Sequence, residues 1–189
     1  LTGQGRLHRD LKLALLAAPT DCVNQERVVA MLALVIRHAR GWLFSAHADI
    51  YRNVRIRWKL VVGLPVAHHL EGELSNVFGR LAHVAWLLAG PRGGIDQTGI
   101  RDARHRLAAL DEAPGLATED EDIVVDVIPE IAAQIYGFVN SQHFDRKANN
   151  ICLMVDIGAG TVDSSLFHVR PGRAGRWDFE FYTSVVQPH

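Results

Sequence analysis

The stretch "ICLMVDIGAGTVDSSLFHV", residues 151–169, constrains the fold more than any other part of the chain. Its apolar opening, through Val155, is a continuous run of the kind found in strands covered on both faces. Gly158, Ala159 and Gly160 interrupt it, and an apolar strand returns from Val162 to Val169. "RPGRAG" then reads as a hairpin loop, and "WDFEFYTSVV" alternates, with Trp177, Phe179, Phe181 and Thr183 predicted on one face. The C-terminal piece is therefore expected to be a three-stranded meander. The aromatic residues of its last strand are read as sheet core and not as a base-stacking platform, because basic residues do not surround them.

Upstream the rhythm changes to helices. "GRLHRDLKLALLAAPTD" is compatible with a short helix or an extended piece ending at Pro19. A long helix is expected from Asn24, with Asn24 as its cap, and apolar residues nearly all round predict that most of it is buried. "RIRWKLVVGLP" reads as a strand. Leu74, Val77, Phe78, Leu81, Val84, Ala85 and Leu88 keep the i, i+3, i+4, i+7 spacing of an amphipathic helix, which stops at Gly90-Pro91. "GIRDARHRLAALDEAPG" can hold one short helix, and the acidic run 119–122 reads as a solvated loop. A strand from Ile123 to Ile128 delivers the chain into a helix at Pro129, where a missing N–H costs nothing.

Composition excludes several classes. A net charge of −1 gives no electrostatic case for nucleic acid or an anionic membrane surface. No signal peptide is visible, and no run reaches the ~18 apolar residues of a membrane span, so a cytoplasmic protein is expected. Cys22 and Cys152 are read as two buried thiols in a reducing compartment, with one long-range disulfide as the alternative. His69 and Glu73 can share a helix face beside His68 and Glu71, but no third ligand at zinc spacing accompanies them. Ser164 and Ser165 lie outside any Gly-x-Ser-x-Gly pattern.

The chemistry concentrates at the glycine turn. A phosphate needs several converging donors, and amides of a tight glycine turn supply them because no Cβ blocks the approach. No GxxxxGK[ST] occurs, so this is not a Walker loop. In a strand–turn–strand context Gly158 and Gly160 would supply the conformations, and Thr161 a hydroxyl and an N–H. Asp156 and Asp163 flank the tip, and Mg²⁺ is commonly held by one or two carboxylates plus phosphate oxygens. The same residues also suit an ordinary hairpin turn with polar trim.

"LMVDIGAGTVDSSLFHV" resembles the second phosphate-binding hairpin, DxGxGTxD, of the actin and Hsp70 ATPase superfamily. "DVIPEIAAQIYGF" is similar to the helix connecting the two lobes of these ATPases, and "WKLVVGLPVAHH" to the strand that precedes it. The three motifs stand in the family's order over residues 55–170. Gly-Leu-Pro and Val-Ile-Pro-Glu resemble the bacterial plasmid-segregation actins, while the helix and hairpin resemble Hsp70 equally well. Hsp70 has a Glu directly before the helix Pro; this chain has Ile128 there and Glu130 after it.

The resemblance implies an α/β chain with the ribonuclease-H-like layout, a mixed sheet flanked by helices. Residues 1–140 would form a first lobe lacking its opening hairpin, with 90–122 as an insertion, and 141–189 would begin the second lobe. It implies ATP and Mg²⁺ as ligands, with Asp156 and Asp163 toward the metal. Gly158, Ala159, Gly160 and Thr161 would face the phosphate, and Asp156 or Glu130 would orient the attacking water. Glu130 is also explained as a first-turn carboxylate favoured by the helix dipole. The first hairpin and the later adenosine motif of the family are not seen, so the chain is expected to be a middle fragment of a longer protein, or one whose other half diverged, and to bind nucleotide weakly or not at all by itself. The alternatives are a degenerate, non-catalytic actin-like scaffold with a protein partner or self-assembly, or a sugar or acetate kinase of the same fold.

Overall fold

The structure, a computed structural model, describes residues 10–51, 53–64, 72–90, 94–113, 123–145, 147, 151–157, 161–173 and 177–188; the side chains of Ala133, Thr161, Asp163, Ser184 and 186–188 fall outside that description. Along the chain run α1 (Leu11–Ala17), α2 (Cys22–Ala46), α3 (Ala48–Tyr51), β1 (Lys59–Leu64), α4 (Gly72–Leu88), α5 (Gln97–Glu112), β2 (Val124–Pro129), α6 (Glu130–Val139), β3 (Ile151–Ile157), β4 (Thr161–Pro171) and β5 (Trp177–Pro188). β1 and β2 form a two-stranded parallel sheet, and β3–β4–β5 an antiparallel one, so the protein is mixed α/β. Its contacts divide it into two compact units: Leu1–Val61 with Asn76–Asp126, and Val62–Ser75 with Val127–His189. α6 therefore clusters with the strands that follow it.

The first unit is built on helices. Asp21, not Asn24, caps α2: its carboxylate accepts from the Val23 and Asn24 amides at 2.7 and 3.0 Å. Asn24 sits inside the first turn, and its Nδ2 donates to the Ala14 carbonyl at 3.2 Å. Val28, Val29, Ala33 and Ile36 form the buried stripe of α2. The expectation of near-complete burial fails, because Met31, Leu34, Val35, Trp42 and Phe44 are all exposed. Cys22, at the start of α2, is also exposed, and both cysteines are free thiols. With 25 residues, α2 is long and apolar enough to cross a membrane by length and composition, which corrects the reading that no such segment exists.

α4 follows its predicted face closely, burying Leu74, Phe78, Leu81, Val84, Ala85 and Leu88. Arg37 holds its C-terminal end. One guanidinium nitrogen donates to the Leu88 and Gly90 carbonyls at 2.7 and 3.0 Å, and Nε to Ala89 at 3.4 Å. These are carbonyls a helix end leaves without partners, and a cation there also suits the dipole. Arg40 stacks 4.4 Å over the Trp86 ring and 5.5 Å from that of Trp58. α5 spans 16 residues where the sequence suggested one short helix; Asp96 caps it by accepting from the Gly99 amide at 2.8 Å.

The second unit packs α6 on one face of the antiparallel sheet. Ile131, Ile135 and Val139, spaced four apart, meet Phe167 and Val169 of β4. Phe138, Phe144, Cys152, Met154, Trp177 and Phe181 close around them. Phe144 links the Phe138 and Trp177 rings, with centroids 5.4 and 5.1 Å away. The other face of β3 is open: Ile151, Leu153, Val155 and Ile157 are 49–71% exposed, so this strand is not covered on both faces. An irregularity at Leu166/Phe167 changes the rhythm of β5. Phe181 pairs with Phe167 but Thr183 with Leu166, so Thr183 leaves the face of Trp177, Phe179 and Phe181.

Candidate functional site

The residues that sequence chemistry singled out converge in the second unit. β3 and β4 pair in unbroken register, with Met154 opposite Ser165, Asp156 opposite Asp163 and Ile157 opposite Val162. Ile157 opposite Val162 is the last pair of this register, so the two aspartates form the rung next to it. Directly opposed residues of an antiparallel pair share a face, with Cβ atoms about 4.5–5.5 Å apart. Like charges placed there repel, which disfavours the rung unless something positive lies between them. Gly158, Ala159 and Gly160 lie outside the described residues, as do the side chains of Thr161 and Asp163.

Alternation along β3 puts Asp156 on the face of Cys152 and Met154, the face that receives α6. There Gln134 of α6 donates from Nε2 to Asp156 Oδ2 at 2.9 Å. Gln134 was not legible as a site residue. Its only signal was position, four residues after Glu130, and such spacing places both on one side of a helix. Glu130 therefore stands one turn before the residue that grips Asp156. Glu130 and Gln134 thus share one flank of α6, beside the buried stripe of Ile131, Ile135 and Val139, and Gln134 reaches Asp156 from it.

Glu130 is the first residue of α6, immediately after β2, and it is half-buried. Pro129 precedes it with extended geometry, φ −57° and ψ 132°, and gives no side-chain cap. Its side chain lies against Gly63 near the end of β1: a Cβ built on Gly63 would stand 2.7 Å from Glu130 Cγ. The carboxyl ends of parallel strands are where open α/β sheets place their ligands. Ser165 is buried inside β4, consistent with a structural hydroxyl. His68, His69 and Glu71 are outside the described residues, and among those described no cluster of three metal-ligating side chains occurs.

The first unit holds a different concavity, a groove of about 280 Å³ floored by Val77, Leu81, Val84 and Leu107. Its basic side chains are engaged: Arg80 pairs with Asp111 at 3.0 Å, and Arg104 donates to Gln25 at 3.1 Å. No family model, curated protein or solved structure matches the chain.

Proposed function

We propose that the second unit carries one jaw of a Mg²⁺·ATP site and that the full protein hydrolyses the bound nucleotide. The observation carrying this reading is the Asp156–Asp163 rung, one pair from the end of the β3–β4 register, in strands that the sequence joins through Gly158-Ala159-Gly160. A divalent ion between the two carboxylates would convert a repulsive pair into a ligand pair. Residues 158–161 would offer backbone amides to the γ-phosphate, and phosphate oxygens would share in holding the metal. The resemblance of residues 55–170 to the actin and Hsp70 ATPases supports the same assignment, with their ribonuclease-H-like layout as the proposed fold.

This chain's residues would then divide the work. Asp156 and Asp163 would supply the negative charge that holds magnesium, and Gln134 holds Asp156 in one orientation by donating to Oδ2. Glu130, one helical turn away, would orient the water that attacks the γ-phosphorus. Phosphoryl transfer asks little covalent chemistry of a protein, so placement and charge supply most of the acceleration. One specific observation favours a second reading, a non-catalytic scaffold: Ile128 stands where Hsp70 places its Glu before the helix proline.

Calorimetric titration of the full protein with Mg²⁺·ATP tests the site. Asp156→Ala and Asp163→Ala are each expected to weaken binding at least about tenfold, as loss of a charge-assisted metal contact should. Equal affinity in the parent and both variants contradicts the assignment. Binding without turnover selects the scaffold.

A further inference from the structure

We propose that Gly63 is a positioning residue that sets the side-chain conformation of Glu130. The inference rests on Glu130 orienting water in the proposed hydrolysis. Gly63 lies inside β1, where glycine weakens a strand because it packs nothing and loses the most freedom on folding. Its backbone is not in the left-handed region, so conformation does not require glycine here. Space does. A Cβ at this position would stand 2.7 Å from Glu130 Cγ, 3.6 Å from its Cα and 3.6 Å from Oε1. The first two atoms belong to the stem and backbone of Glu130, which cannot swing aside as a free side-chain end can.

The absent side chain of β1 is therefore the room that the Glu130 stem occupies. Glu130 follows Pro129, whose ring fixes φ, so the start of α6 has little freedom to shift instead. A methyl group at position 63 must rotate Glu130 about its first side-chain bonds and carry its carboxylate away from the place it holds against β1. The charge of the site stays the same; only the position of one carboxylate changes. Displacing an orienting group by about 1 Å is enough to cost up to a hundredfold in rate.

The test is a double-mutant cycle on the full protein, comparing parent, Gly63→Ala, Glu130→Ala and the double variant in ATP hydrolysis and thermal melting. Gly63→Ala is expected to lower kcat about tenfold or more with KM within about twofold, and to lower Tm. In the Glu130→Ala background, where the stem is gone, adding Gly63→Ala should leave kcat unchanged and should not lower Tm. If Glu130→Ala loses kcat while Gly63→Ala keeps it, the positioning proposal falls and the role of Glu130 stands. If Glu130→Ala keeps kcat, or the parent does not hydrolyse ATP, the catalytic reading falls and takes this proposal with it. Should Gly63→Ala alone fail to fold, the double variant must recover the fold; a double that stays unfolded overturns the contact as the cause.

Discussion

At the scale of single residues the site is defined by opposition as much as by attraction. Asp156 and Asp163 are register partners across β3 and β4, and nothing in strand propensity favours two aspartates on one rung. If the pair exists to hold a cation, stability and binding must move in opposite directions when one charge is removed. Asp163→Asn is therefore expected to raise the stability of the metal-free protein by about 0.5 kcal/mol, the size of a relieved cross-strand repulsion. The same variant should lose the extra thermal stability that Mg²⁺·ATP gives the parent. Denaturant titration without metal and melting with Mg²⁺·ATP measure the two effects. A variant less stable without metal would mean that the rung is structural.

Elements show how local chemistry was overridden by neighbours. α4 was legible residue by residue because one clean apolar stripe at helical spacing admits one orientation. α2 was not: apolar residues on several sides gave no single stripe, and periodicity alone could not say that Met31, Leu34 and Trp42 would stay exposed. Its cap was missed because Asp21 and Asn24 are both good capping residues, and the extended backbone at Asp21, φ −67° and ψ 112°, decides between them. The departure of Thr183 from its predicted face has a similar origin, since a one-residue irregularity flips the alternation and leaves no mark in composition. Arg37 illustrates coupling between elements that spacing could never reveal, as it joins α2 to carbonyls more than fifty residues away. Arg37→Ala should cost about 2 kcal/mol in denaturant unfolding, since the interactions lost are hydrogen bonds to a charged donor. Arg37→Lys should recover part of that loss, because one ammonium cannot fork across three carbonyls. Equal stability of Arg37→Ala and the parent would show that the end of α4 is held by other means.

For the molecule as a whole, the mixed α/β architecture and the three-stranded meander follow from alternation, glycine turns and the Pro129 helix start, all of which are local signals. The clustering of α6 with the strands after it depends on tertiary packing, through Ile131, Ile135 and Val139 against Phe167 and Val169, and lies beyond any local pattern. The same packing joins Gln134 to Asp156 from segments more than twenty residues apart. The candidate site was thus half legible: its carboxylates and glycines in the motif, its geometry only in the packed unit. The central claim is that the hairpin tip binds the phosphates of Mg²⁺·ATP. Titrating the ¹⁵N-labelled chain with Mg²⁺·ATP, to millimolar concentration because a single jaw binds weakly, tests it most directly. Saturating amide shifts at 156–163, extending to Glu130 and Gln134, are the predicted result; unperturbed amides there, or shifts confined to the groove beside Arg80 and Arg104, would contradict it.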